Sequence, residues 1–136
     1  MEPDLELDFE DEPDPELNRI TNAIIAAAIA VHKALGPGFQ ESVYQNALAI
    51  EFRHRSMRCV HEPLFPVLYR GEQVGQNRLD FLVEDTVIVE LKAVESLTPL
   101  FSAQVISYLK ATGRKLALLI NFNVRRLKDG LKRVAL

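Results

Sequence analysis

The sequence has one cysteine, Cys59, no tryptophan and only six glycines in 136 residues. A single thiol excludes an intrachain disulfide framework and a cysteine-rich zinc site. Long apolar runs are equally scarce: the longest, Ala23 to Val31, has nine residues, whereas a membrane-spanning helix takes about 20. The first seventeen residues contain no Lys or Arg and no apolar stretch, so no secretory signal is expected and the reducing cytoplasm is the expected compartment. His32, His54 and His61 form no His-Glu-x-x-His arrangement, and no phosphate-binding Gly-x-x-x-x-Gly-Lys-Ser/Thr loop or serine nucleophile elbow occurs. Zinc proteases, nucleotide-driven motors and serine hydrolases are thereby unsupported.

What is present describes one globular domain. Hydrophobic residues make up 48% and charged residues 26%, ordinary values for a soluble protein. The net charge of -3 hides an asymmetry: residues 1 to 17 carry nine acids and no base, which leaves ten acids against sixteen Lys and Arg, about +6, in the remainder. A basic body attracts phosphate backbones, while a self-repelling segment with three prolines buries too little surface to offset its ordering entropy. The expected organisation is an acidic disordered tail over residues 1–14 and a single domain over 15–136. The tail reads either as a solvated segment or as one that lies over a basic groove and competes with nucleic acid.

Asp14-Pro15 has the character of a helix N-cap with proline in the first turn. Leu17, Ile20, Ile24, Ala27, Val31 and Leu35 then recur at spacings of three and four, predicting a helix with one apolar face that Gly36-Pro37-Gly38 terminates. A second helix is predicted from about Gln40 to Arg55, with Val43, Ala47, Ile50 and His54 on one side. Strands are predicted over Phe65 to Tyr69 (an edge, because of Pro66), from Gln73 after a turn at Arg70-Gly71-Glu72, over Asn77 to Val83, and over Thr86 to Ala93. Thr98-Pro99 opens a helix to about Thr112, stopped by Gly113. Lys115 to Phe122 is a strand buried on both faces, and Val124 to Leu136 a short basic helix interrupted near Gly130. This order predicts an α/β sandwich around a small mixed sheet.

Glu90 and Lys92, two apart on one strand, project from the same face. If Glu84, Asp85 and Thr86 form the preceding loop, Val83 pairs with Val87, Leu82 with Ile88, and Asp80 opposes Glu90; a two-residue loop would separate the two carboxylates onto opposite faces. Opposed carboxylates repel, so a positive group belongs between them: Lys92, a divalent metal, or both. Oxygen ligands of this kind suit Mg²⁺ or Mn²⁺. The alternative for Glu90 and Lys92 is a plain salt bridge between strand neighbours.

Asp80 followed by Glu90-Leu91-Lys92 is similar to the signature of the PD-(D/E)XK nuclease superfamily. Gly38, Glu41 and Tyr44 also fit the Gly-x-x-Glu-x-x-Tyr pattern of a small bacterial family within it. The likeness runs from about Leu17 to Phe122 and includes Leu35-Gly36-Pro37-Gly38, Gln104 with Tyr108, and Leu118-Leu119-Ile120-Asn121-Phe122. It implies a restriction-endonuclease-like α/β core, α-β-β-β-α-β with an extra N-terminal helix, and Mg²⁺- or Mn²⁺-dependent hydrolysis of phosphodiester bonds in DNA. Asp80 and Glu90 would ligate the metal, and Lys92 would orient the attacking water or neutralise charge on the phosphate; Glu41 would add a further ligand, directly or through water, or else only stabilise the N-terminus of its helix. Gln104 and Tyr108, on one helix face, would place polar groups near that phosphate, the alternative being ordinary helix-surface packing, which Tyr108 taken alone suits better. Tyr44 is expected to pack under Glu41, and Leu91 to pack into the core. Arg114, Lys115, Arg125, Arg126, Lys128, Lys132 and Arg133 are candidate phosphate contacts that confer affinity rather than sequence preference. Two departures from the pattern are Leu79, where the superfamily's name has proline, and Ala117, where relatives often have glycine. The rival reading is a non-catalytic nucleic-acid- or protein-binding module on the same fold. RNA or a nucleotide-containing small molecule is a further substrate option, with DNA ahead of RNA. A dimer would be needed to cut both strands at once.

Overall fold

The computed structural model describes residues 14–136; the expected acidic tail, Asp14 excepted, lies outside the described residues. The elements are α1 (Pro15–Leu35), α2 (Glu41–His54), β1 (Cys59–His61), β2 (Leu64–Tyr69), β3 (Glu72–Arg78), β4 (Phe81–Val83), β5 (Val87–Lys92), α3 (Pro99–Thr112), β6 (Leu116–Asn121), a 3-10 turn (Leu127–Gly130) and β7 (Leu131–Ala135). Five strands form a mixed sheet in the order β1-β4-β5-β6-β7, and β2 with β3 makes a separate hairpin. Within the five-stranded sheet β5 and β6 run parallel, joined through α3, and the other neighbours are antiparallel. This is the α/β architecture that the order of elements predicts.

The helix boundaries follow from their caps. Asp14 accepts the Glu16 N–H at 2.9 Å, Pro15 occupies the first turn, and Gly36 ends α1 at φ 70°. At the end of α3, Gly113 takes the left-handed conformation (φ 71°, ψ 20°) and its N–H returns to the Leu109 carbonyl. Parity along β5 then separates two cores. Val87, Val89 and Leu91 face α1 and α2 with Ile24, Leu48 and Phe52. Ile88 faces α3 with Val105, Leu109 and Leu119. Glu90 and Lys92 share the parity of Ile88, so they emerge on the α3 side at the C-terminal end of the strand.

Four expectations need correction. The buried stripe of α2 is Tyr44, Leu48 and Phe52, not Val43, Ala47, Ile50 and His54; Ile50 is 56% exposed. The larger side chains bury more apolar surface, with Phe52 edge-on to Phe81 at 5.2 Å and Tyr44 stacked on Phe122 at 4.7 Å. The predicted strand over Asn77 to Val83 is broken. Residues through Arg78 pair with β2, and the chain crosses to the main sheet at Leu79-Asp80. The segment Cys59–His61, not predicted as a strand, pairs with β4. Finally, the predicted basic C-terminal helix is the 3-10 turn followed by β7, which pairs with β6 from Leu116↔Ala135 to Ile120↔Leu131. That pairing satisfies a strand edge that a helix would leave open. It also places Leu131 and Val134 against opposite cores.

Gly130 makes the turn into β7 possible, because a Cβ there would overlap the Asn121 carbonyl oxygen, with the Asn121 carbonyl carbon 3.1 Å away. Backbone atoms cannot move aside as a side-chain tip can. Gly130→Ala is therefore expected to destabilise the fold by about 1–3 kcal/mol, read as a lower midpoint in urea unfolding; an unchanged midpoint would show that the turn relaxes.

A candidate active site at the end of the central strands

The β4–β5 connection has the three-residue loop that sets the register. Val83 pairs with Val87, Leu82 with Ile88 and Phe81 with Val89. Glu84 and Asp85 both lie at positive φ (55° and 56°), and the Thr86 N–H closes the turn on the Val83 carbonyl at 3.0 Å. One step beyond Phe81↔Val89, side chains take over from the backbone ladder. The Asp80 N–H donates to Glu90 Oε2 at 2.7 Å, and the Leu91 N–H donates to Asp80 Oδ2 at 2.7 Å. Each carboxylate is held by the other's strand. The ladder stops there because the chain is turning away: the Asp80 carbonyl accepts the Glu62 N–H at 2.9 Å and the Leu79 N–H donates to Pro63 at 3.0 Å.

This brace buries negative charge. Glu90 is 6% exposed. Its burial, followed by the Asp80 charge beside it, pushes its pKa from an ordinary 4.5 up to about 8, against the Asp80 N–H bond and the Lys92 charge, which act to lower it. Asp80 is also raised, mainly by burial, with the Leu91 N–H, Lys92 and His61 pulling it down and Glu62 pushing it up. Glu41, first residue of α2, is raised by burial and by Asp80 and lowered by Lys92. One ammonium thus faces three carboxylates that burial holds toward their neutral forms. Lys92 itself lies over the Phe101 ring of α3, 4.7 Å from its centroid.

The approach to Glu41 is shaped by glycine and tyrosine. Gly38 has φ 112°, a backbone conformation closed to side-chain-bearing residues. Tyr44, one turn into α2 and fully buried, donates its hydroxyl to the Gly36 carbonyl at 2.6 Å and accepts the Phe39 N–H at 3.1 Å. The phenol therefore clamps the Gly36-Pro37-Gly38-Phe39 loop that delivers Glu41 to the carboxylates.

The remaining candidates divide. Tyr108 is half-buried, packs edge-on to Phe65 at 5.3 Å, and has its pKa raised by burial and then by the Glu90 and Asp80 charges. Gln104, one turn earlier on α3, is exposed. Arg114 and Lys115 precede β6 at its Leu116 end, opposite Val87, so they occupy the far end of the sheet from Lys92. There the Arg114 guanidinium is engaged by Asp85 at 2.8 Å and the Thr112 carbonyl at 3.0 Å. Arg125, Arg126 and Lys128 follow the other end of β6. Lys132 and Arg133 lie on β7, opposite Leu119 and Leu118. Sequence reasoning missed His61, stacked on Phe81 at 4.8 Å with Nε2 3.1 Å from the Gln45 side-chain nitrogen. No linear spacing joins it to Asp80; only the pairing of β1 with β4 does.

The donor set fits a hard cation. Asp80 and Glu90 each commit one oxygen to a backbone N–H, so each retains a second oxygen, and their repulsion favours a positive ion beside them. Among the described residues, no group of three or more carboxylate, imidazole or thiol side chains is arranged to hold a metal. A two-carboxylate set suits an ion that keeps several waters.

A sequence model of a known family, the PD-(D/E)XK nuclease superfamily, matches residues 18–134. Comparison with curated proteins finds no match. Among solved structures, the fold is similar to an alkaline exonuclease from Laribacter hongkongensis, with 16% identity and a TM-score of 0.42 over 69% of this chain and 55% of that one. The chain thus spans about half the length of that exonuclease.

The raised Glu90 pKa sets a sign for stability. Between its ordinary value of 4.5 and about 8, the folded state binds more protons than the unfolded, so the Glu90 contribution is full below pH 4.5 and fades as pH rises toward 8. The metal-free protein should therefore lose melting temperature across that window, and Glu90→Gln should melt higher than the parent at pH 8, by roughly 5 °C. Mg²⁺ should raise the melting temperature of the parent at pH 8 and leave the variant unmoved. A variant that melts below the parent at pH 8 would show that the ionised carboxylate is not the destabilising group.

Proposed function

The chain belongs to the PD-(D/E)XK nuclease superfamily, and from that premise we propose that it hydrolyses phosphodiester bonds of DNA at the Asp80–Glu90–Lys92 cluster with Mg²⁺ or Mn²⁺. The observation that carries this is the reciprocal brace of Asp80 and Glu90 beside a lone ammonium. A bound divalent cation supplies Lewis acidity toward the phosphate and generates a nucleophilic water at neutral pH. Asp80 and Glu90 would hold it, with Glu41 joining through water. Lys92 would neutralise charge developing on the phosphate, and the Phe101 ring beneath its ammonium limits where that charge sits. Tyr108 would position the phosphate from the α3 side. Gln104, exposed on the same helix, would meet the nucleic acid rather than the metal.

Within the superfamily we assign the chain to the Gly-x-x-Glu-x-x-Tyr group, since Gly38, Glu41 and Tyr44 form one mechanical unit: a turn, a carboxylate and the phenol that fixes both. Leu79 in place of proline agrees with this site, because its N–H donates to the Pro63 carbonyl, a bond that proline would forfeit. Residues 15–136 would be the catalytic domain and the preceding acidic residues an appendage to it. A second reading, a binding module on the same fold, draws on the lack of a ready-made three-ligand group among the described residues.

Incubation of the purified chain with linear duplex, circular and single-stranded DNA and with RNA, in Mg²⁺ or Mn²⁺, separates these readings. Metal-dependent cleavage is expected, reduced about 10²–10³-fold in Lys92→Ala and to background in Asp80→Asn. Cleavage of RNA alone would reassign the substrate. Nucleic-acid binding without cleavage would favour the binding module.

A further inference from the structure

The basic side chains fall at two ends of the sheet, and one group lies at the carboxylate end. Arg125, Arg126 and Lys128 follow β6, whose last residue, Asn121, pairs with Lys92, and the next N–H, that of Phe122, donates to the Lys92 carbonyl at 2.9 Å. Facing them across a cleft is Lys33, in the last turn of α1, which leads within a few residues to Glu41. The cleft encloses about 340 Å³ and has Ile29 and Leu127 among its apolar lining. Its two walls are fixed to each other, because His32 Nε2 bonds the Val124 carbonyl at 2.8 Å and its ring meets Phe122, 6.2 Å between centroids. Asp129 lies 3.8 Å from Arg126 and offsets one of the four positive charges. Arg114 lies at the opposite end of the sheet, paired to Asp85.

Resting on the nuclease reading, we infer that this Lys33–Arg125–Arg126–Lys128 cleft is a second nucleic-acid subsite that binds a backbone phosphate of the same strand, away from the scissile one. Arg125 is four residues beyond Asn121, at most about 14 Å of chain, and Asn121 sits one strand spacing, roughly 5 Å, from Lys92. At about 3.4 Å per nucleotide of duplex, that backbone span corresponds to roughly six nucleotides at most between the bound phosphate and the cleaved bond. The strand then runs from Asp80 and Glu90 past the glycine loop toward the end of α1, and not toward Arg114 and Lys115. The contact is with phosphate, so it adds affinity without base preference.

The test uses the full chain carrying Asp80→Asn, so that binding is read without cleavage, and a labelled 20-base-pair duplex titrated between 50 and 200 mM NaCl. Adding Lys33→Ala and Arg125→Ala is expected to weaken binding about tenfold and to reduce the slope of log K against log salt by about 1–2. Lys115→Ala keeps the parent slope. An unchanged slope in the Lys33/Arg125 variant, with its melting temperature retained, overturns the subsite, as does an equal loss in Lys115→Ala. If the wild-type chain cleaves DNA and the cleft variant binds as tightly as its parent, this inference alone fails. If the parent binds no DNA at all, the nuclease reading fails with it.

Discussion

Two hydrogen bonds of 2.7 Å, from the Asp80 N–H to Glu90 and from the Leu91 N–H to Asp80, are the constraint on which the site depends. They replace the ladder bonds that β4 and β5 would otherwise share at that level. In an ordinary antiparallel pair the side chains stand off from the backbone groups that join the strands. Here the acidic side chains are the joining groups, so position and charge are set together. Any shift of register by one residue would break both bonds and send Asp80 to the other core.

The rest of the fold holds that crossing point still. Val89 and Leu91 anchor β5 in one core and Ile88 in the other, so the strand cannot roll without exposing one of them. Tyr44 reaches the same region from α2, stacked on Phe122 and bonded to both ends of the glycine loop. Phe122 in turn is tied by its N–H to the Lys92 carbonyl. Glu41, Lys92 and the braced pair are therefore linked through a short chain of contacts, with little slack between carboxylate and ammonium.

Much of this was legible in the sequence where the signal is local. The caps at Asp14-Pro15 and Gly113, the apolar face of α1, the doubly buried β6 and the register that faces Asp80 toward Glu90 all follow from neighbours within a few residues. The misreadings fall where distant pairing decides. Residues 124–136 carry an apolar-basic pattern that suits a helix or a strand, and the open edge of β6 chooses the strand. On α2 the spacing of small apolar residues gave the wrong stripe, because Phe81 and Phe122, remote in sequence, offer partners for Phe52 and Tyr44. His61 and the division of the basic residues between two ends of the sheet depend on strand order, which no single segment encodes.

The β2–β3 hairpin is built on different terms from the sheet it adjoins. Every residue of β3 is exposed, and the hairpin pairs with itself while delivering the chain to Leu79 and Asp80. Its outward side chains bear on neither the carboxylate brace nor the cores, so substitutions there escape the packing constraint that fixes β5. The two strands of the arm therefore differ in freedom: β3 can change what it presents to solvent, whereas Phe65 of β2, buried against Tyr108, is tied to the core beneath α3.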